Sequence, residues 1–351
     1  MSKTKGKSKK KIIKITALSL AAVLLIGVAS AGILLYGRIA AVLSVKTVAE
    51  EFYTMNFQQD YHLDKALSAD IKSEDDLIRF ISDDMFFGYP MKASALSCAC
   101  SAFRSETPDG KNLVGRNLDY DDTETLALYT HPEGGYASIA SADVGIAGIG
   151  KYAGLPLSDT KGKIALLASP YLCVDGMNEK GLSVSVLNLT MEELHQDTGK
   201  PGLFILVAVR LLLDRAANVE EAVELLGKYD IHSGSGWTQH LFIADAKGSS
   251  VVVEWTKDKM KTVNSAACTN FKLTTKRAQE DPSGMCDRFD TMTEWLSKKE
   301  KNTPKDAMAL LQSVSVPFTQ WSCVFHLDDF SVDYVIDRGF EKVYTLRPED
   351  F

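Results

Sequence analysis

Cys100 lies sixteen positions before Arg116 and nineteen before Asp119, so a thiol, a guanidinium and a carboxylate fall in one short stretch. Between them lies Pro108-Asp109-Gly110, flanked on both sides by apolar and β-prone residues, which predicts a β-hairpin. Two antiparallel strands joined there would set the start of the first beside the end of the second. Cys100 would then lie near Arg116 and Asp119. A cation beside a thiol favours thiolate, and a carboxylate beside an amine orients it and stabilises its protonated form. That combination suits nucleophilic amide chemistry. Free cysteine is also among the residue types most often buried, and Gly115-Arg116-Asn117-Leu118-Asp119 could equally end a strand with a surface ion pair. The hairpin alone leaves both readings open.

The elements that must position these groups begin far upstream. Seven lysines and no acid occupy residues 1–14, followed by an uncharged stretch from Ile15 to Tyr36. At about 1.5 Å per residue that stretch makes roughly 33 Å of helix, enough to cross a bilayer core. Lysines ahead of it, with few basic residues just after, place the N-terminus in the cytoplasm and the remainder outside. Residues 15–36 are therefore expected to be an uncleaved transmembrane signal-anchor, single-pass in the cell membrane. The alternative is a signal cut after Ala29-Ser30-Ala31 and secretion, although apolar residues continue past that point. Either way the bulk of the protein is expected outside the cytoplasm.

The formal charge of −7 becomes −14 once residues 1–14 are set aside. An acidic exported body argues against nucleic acid as a partner and offers no basic patch for anionic lipid. Six cysteines in an exported chain could form three disulfides, but a free nucleophile at 100 would leave at least one other unpaired. The 252 residues from Cys100 onward can bury a core without such staples. Cys98-Ala99-Cys100 lacks the usual spacing of a metal pair, and no Cys-x-x-Cys or His-Glu-x-x-His occurs. Neither a metal nor another cofactor is expected.

Residues 39–99 read as helical, with Ser73 and Asp76 opening an amphipathic stretch through Leu77, Ile78, Phe80, Ile81 and Phe86. From Cys100 onward the pattern changes to short β-prone runs: 112–118, 164–168, 182–189, 240–244, 251–255 and 322–327. Asp245-Ala246-Lys247-Gly248 reads as a tight turn. Helices are expected over 203–215, with Pro201 at their start, then over 219–226, 286–300 and 304–313. The glycine order of Gly145-Ile146-Ala147-Gly148-Ile149-Gly150 is wrong for a dinucleotide fingerprint, and a plain loop is expected there. This alternation of strands and helices predicts an α+β fold, two sheets packed between helix layers.

Further residues then fall into a familiar order. Asp175-Gly176-Met177-Asn178-Glu179-Lys180-Gly181-Leu182 leads to Leu187-Asn188-Leu189. Thr238-Gln239-His240, Thr269-Asn270 and Asp287-Arg288-Phe289 follow. With the Cys100 hairpin, this resembles the choloylglycine hydrolase family of linear amide C–N hydrolases, which includes bile salt hydrolases and penicillin V acylases and has acid ceramidase-like relatives. The resemblance covers 100 to about 290 well and the rest loosely.

The resemblance implies an N-terminal nucleophile hydrolase with a four-layer αββα core. In it Cys100 would be the first residue of the mature chain, its thiol the nucleophile and its own α-amine the base. An α-amine, with an ordinary pKa of about 7.7–8.0, suits proton shuttling near neutrality. Asp119 would orient that amine and Arg116 would sit beside the sulfur. Asn188 and Asn270 would supply the oxyanion hole, and Arg288 would complete the polar network. The substrate would be an N-acylated small molecule. A peptidase of the same fold and a silent binding protein are the alternatives. Cys98 lies two residues too far from Arg116 for the family spacing, and a papain-like enzyme needs a helix-borne cysteine.

Two departures from the family pattern stand out. The nucleophile is preceded by 99 residues, so a free amine requires cleavage of Ala99–Cys100. That makes 37–99 a helical propeptide or N-terminal fragment and 100–351 the catalytic domain. Arg288 follows Asn270 by only eighteen positions, where bile salt hydrolases carry a longer insertion used in tetramer contacts. This counts against both a bile-acid specificity and that tetramer.

Overall fold

The computed structural model describes residues 35–88, 98–120, 122–234 and 236–351, together with Thr16, Ser19, Gly32 and Met91. The basic tail and almost all of the expected membrane segment lie outside the described residues. Among the described residues no helix is long and apolar enough to cross a membrane.

After a helix at 35–43 (α1) come β1 (Lys46–Ala49), β2 (Phe52–Phe57), α2 (Leu63–Ser68) and α3 (Glu74–Met85). The hairpin of β3 (Cys98–Glu106) and β4 (Asn112–Tyr120) precedes β5 (Thr125–Thr130), β6 (Ser138–Asp143), α4 (Thr160–Ala165), β7 (Cys173–Asn178) and β8 (Leu182–Leu189). The middle of the chain holds β9 (Gly202–Phe204), α5 (Ile205–Arg215), α6 (Val219–Leu226), β10 (Asp230–His232) and β11 (Thr238–Asp245). Next are β12 (Ser250–Trp255), β13 (Met260–Asn264), β14 (Ala267–Cys268) and α7 (Lys276–Glu280). The chain closes with α8 (Asp287–Lys298), α9 (Pro304–Ser313), β15 (Thr319–His326), β16 (Ser331–Ile336) and β17 (Tyr344–Leu346).

Nine strands form one sheet in the order β1-β2-β5-β6-β7-β8-β11-β12-β13, and six form another, β14-β3-β4-β15-β16-β17. β9 and β10 make a separate parallel pair. The sheets face each other through β3 and β8. α5 lies on β7 and β8, and α6 on β11 and β12. On the other side α8 lies on β3 and β14, and α9 on β4 and β15. This is the four-layer αββα arrangement that the resemblance implied. Every residue of β4 is buried, because the strand lies between the facing sheet and α9.

Local chemistry explains most boundaries. Side chains of Ser73, Asn218 and Thr303 accept from the backbone N–H three residues on, capping α3, α6 and α9. Pro304 sits where a helix start tolerates a missing N–H. The β3–β4 turn needs a left-handed residue and has Gly110 at φ +86°.

Several expectations are corrected. Residues 46–57 are strands, not helix: Phe52-Tyr53-Thr54-Met55-Asn56-Phe57 is rich in β-formers and pairs parallel to β5 from Phe52↔Thr125 to Phe57↔Thr130. Within 39–99, residues 39–43 of α1 and the helices α2 and α3 are helical as read, while Cys98 and Ala99 already belong to β3. The run 164–168 is not a strand, since it ends α4 and enters a 3-10 segment, Leu166–Tyr171, containing Pro170. Helix α5 starts at Ile205, because Gly202–Phe204 is taken up in pairing with β10. The glycine-rich stretch is partly ordered as a 3-10 turn, Val144–Ala147, whose Gly145 N–H is capped by Asp143.

The N-terminal strands are core elements. Phe52 is fully buried, with its ring 5.2 Å from Tyr334 and 5.5 Å from Tyr344, both in the six-stranded sheet. Tyr61 donates to Asp214 Oδ2 of α5 at 2.6 Å. We expect Phe52→Ala to lower stability by ~3–5 kcal/mol in urea unfolding, the usual cost of emptying an aromatic core site. A loss below about 1 kcal/mol would show that β2 adds little to the core.

Candidate active site

The β3–β4 register pairs Ala99 with Asp119, Cys100 with Leu118 and Ala102 with Arg116. Side chains alternate along a strand, so Cys100 and Arg116 share one face as diagonal neighbours and Asp119 occupies the other. The hairpin brings the three together as its spacing predicted. Strand β3 runs unbroken through Ala99–Cys100.

Arg116 is fully buried at the seam between the sheets. Its Nη2 donates to Val186 O of β8 at 2.8 Å, its Nη1 donates to Asn117 O, and its Nε lies 3.6 Å from Asp175 Oδ2. Trp321 Nε1 also donates to Asp175 Oδ2, at 3.1 Å. Burial pushes the Asp175 carboxyl up, and the Arg116 charge works against that push. An isolated charge in this seam would cost several kcal/mol, so each partner makes the other tolerable.

The opposite face carries a second network. Arg288, at the start of α8, donates through Nη1 to Asp119 Oδ2 and through Nη2 to Asn270 Oδ1, both at 2.8 Å. Thr319 Oγ1 donates to Asp119 Oδ1 at 2.6 Å. Asn270 Oδ1 also accepts the backbone N–H of Cys100 at 2.6 Å, while its Nδ2 donates to Asn188 O at 2.7 Å. The nitrogen of Cys100 is thus held by an amide oxygen whose second donor is the arginine that binds Asp119. Burial, then the charge of Cys100, pushes the Asp119 carboxyl up to about 7, with Thr319 and Arg288 opposing.

Asn188 ends β8. Its Nδ2 is buried and finds no acceptor among the described residues. A buried donor without a partner costs free energy unless something else supplies the acceptor. The resemblance gave Asn188 and Asn270 the same task, but the geometry separates them: Asn270 holds the nitrogen of Cys100, and Asn188 presents the open donor.

The loop carrying Asn270 is fixed from beneath. His240 Nε2 lies 2.9 Å from Thr269 O, and Glu254 accepts from Leu273 N at 2.6 Å and Thr274 N at 3.0 Å. Burial pushes the His240 imidazole down, but the Cys268 sulfur and Glu254 more than offset this and raise it to about 10. His240 is thus a buttress to the Asn270 loop.

All six residues picked from the sequence converge here. Asp175 and Thr319 were not picked. Asp175 opens the Gly-Met-Asn-Glu-Lys-Gly-Leu motif, so its place in sequence was a usable signal. Nothing near Thr319 sets it apart. Among the described residues no group of three or more His, Cys, Asp or Glu could hold a metal ion, and Cys173, Cys268, Cys286 and Cys323 are free thiols.

Residues 100–270 match the family described as linear amide C–N hydrolases, choloylglycine hydrolase family. The chain is 29% identical over 180 residues to a penicillin V acylase of Pectobacterium atrosepticum, covering 47% of this chain and 46% of the relative. It is 29% identical over 170 residues to a bile salt hydrolase/transferase of Clostridium perfringens, covering 46% and 49%. The chain therefore spans about half the length of the curated relatives it matches. A solved variant of the conjugated bile acid hydrolase of Clostridium perfringens shares the fold at a TM-score of 0.54 and 16% identity, over 72% of this chain and 93% of that one.

The raised Asp119 carboxyl has a measurable consequence. A carboxyl titrating at about 7 when folded, against 3.8 as its ordinary value, holds its proton more tightly in the folded state. Its contribution to stability is therefore whole below the lower value and is lost as pH rises through the upper one. In a Cys100→Ala background, Asp119→Asn should make the fall of the urea midpoint between about pH 4 and 7 shallower. An unchanged slope would mean that Asp119 is ionised throughout that range.

Proposed function

We propose that the chain, whose residues 100–270 match the choloylglycine hydrolase family of linear amide C–N hydrolases, cleaves the amide of an N-acylated small molecule with Cys100 as nucleophile. The observation that carries this reading is the 2.6 Å bond from the Cys100 nitrogen to Asn270 Oδ1, tied through Arg288 to Asp119. A nucleophile needs a base within reach, and here the base would be that nitrogen once it is a free amine.

The amine first requires cleavage of Ala99–Cys100. The thiol adds to the Ala99 carbonyl, the C–N bond breaks as its nitrogen takes up a proton, and water hydrolyses the resulting thioester. In turnover the α-amine takes the Sγ proton and the thiolate attacks the substrate carbonyl. Asn188 Nδ2 donates to the oxyanion. The ammonium returns its proton to the leaving amine, and water, deprotonated by the same amine, releases the acid from Cys100. Arg288 and Asp119 set the position and charge of the amine throughout.

The names of the relatives point to penicillin V and conjugated bile acids among candidate substrates, beside N-acyl amino acids and N-acyl amines. The short span between Asn270 and Arg288 weighs against bile acids. The catalytic domain is proposed to sit outside the cell, anchored through 15–36. Leu35, Tyr36, Ile39 and Leu43, exposed on α1, extend that apolar run to the edge of the domain.

The upstream fragment would stay bound after cleavage, because β1 and β2 are strands of the nine-stranded sheet. Denaturing intact-mass analysis of purified protein should give two chains, one starting at Cys100, that elute as a single species in native size exclusion. Cys100→Ala should give one uncut chain without turnover. Asn188→Ala should keep the cut but lower kcat by ~10²–10³, the usual effect of removing one oxyanion donor. An active preparation with an uncut Ala99–Cys100 bond would overturn the assignment.

A further inference from the structure

The open donor of Asn188 is useful only if its amide faces the right way, and an asparagine amide can turn over by a half rotation. We propose that Gln239 is a positioning residue that locks the Asn188 amide with its Nδ2 toward the reacting carbonyl. The inference rests on the reading of Asn188 as oxyanion donor and goes beyond it.

Donor and acceptor chemistry alone orients both amides. Gln239 lies directly opposite Asn188 in the β11–β8 ladder, and both are buried. The backbone N–H of Gly234 donates to Gln239 Oε1 at 3.1 Å, and Gln239 Nε2 donates to Gly234 O at 2.9 Å. A backbone N–H can only donate, so the atom facing it must be the glutamine oxygen. The glutamine nitrogen then faces Gly234 O and, at 3.2 Å, Asn188 Oδ1. An NH₂ group carries two protons and cannot accept, so the atom of Asn188 facing it must be oxygen. The Asn188 nitrogen is left on the other side, where the described residues offer it no acceptor. One backbone residue, through its N–H and its C=O, thus fixes two side-chain amides in series. Gly234 is itself held in a narrow turn, bridged to Trp237 and closely approached by the Glu74 carboxylate of α3.

The lock acts at low cost because every atom of the Gln239 amide is used. With leucine at 239 the Asn188 amide would populate both orientations, and the wrong one offers an oxygen to an oxyanion. With glutamate the Gly234 N–H keeps its acceptor. The second carboxylate oxygen, however, then faces Asn188 and draws its Nδ2 inward, away from substrate.

The test uses the mature two-chain enzyme, with penicillin V and fluorogenic N-acyl aminocoumarin amides from acetyl to palmitoyl as probes. Cut enzyme and its urea midpoint are measured for each variant, so that kcat is expressed per folded, processed active site. Gln239→Leu and Gln239→Glu should each lower kcat by about tenfold or more, with KM changed less than about twofold, because the loss falls on the transition state. In an Asn188→Ala background neither should lower kcat further, since residues acting through one another are non-additive. Equal losses in both backgrounds would mark a merely structural role and overturn the proposal, as would full activity of both single variants. If Asn188→Ala itself retained full kcat, the oxyanion reading would fail first and the positioning role with it.

Discussion

The bond between the Cys100 nitrogen and Asn270 Oδ1 is the interaction around which the rest is arranged. It joins β3 to the loop after β14 at the one backbone nitrogen whose chemistry would have to change. An amide N–H and an ammonium are both donors, so the same acceptor serves before and after a cut. What differs is charge. Asn270 Oδ1 already shares Arg288 with Asp119, so a positive charge arising at residue 100 meets a carboxylate one residue removed through hydrogen bonds. Such a charge would find its partner already in place, and burial holds the carboxyl high.

The two faces of the β3–β4 hairpin divide the electrostatic work. Toward the other sheet, Arg116 is neutralised by Asp175 and by carbonyls and takes its geometry from β8 and β15. Toward α8, Arg288 and Thr319 hold Asp119. Each charge is paired with a partner from a different element, so neither network forms until the layers have packed. Buried ion pairs of this kind are a weak source of stability and a strong source of geometric uniqueness, because only the assembled register satisfies them.

How much of this was legible follows the range of the interactions. The β3–β4 hairpin, and with it Cys100, Arg116 and Asp119, could be read from local turn chemistry. Helices α3, α6 and α9 could be read from their caps. Asn188, Asn270 and Arg288 lie 88 to 188 residues from Cys100, and only their order beside a known family singled them out. Strand β2 was missed because its parallel partner β5 lies across the whole hairpin, and β1, which pairs with β2 alone, was missed with it. Gln239 stood in a recognised run without a role, and Thr319 stood in none. Their roles depend on which atom faces which neighbour, and a residue name does not carry that.

The parallel alignment of β2 with β5 sets an order of events. As one chain, the precursor closes this pairing over a loop of fixed length, at a modest entropic cost that grows only logarithmically with loop size. Once the link ahead of Cys100 is severed, the same pairing joins two molecules. Reassembly after denaturation would then slow with dilution, while the native pair would persist through the height of its dissociation barrier. Such an enzyme is assembled once, from a single polypeptide, and afterwards owes its lifetime to kinetics.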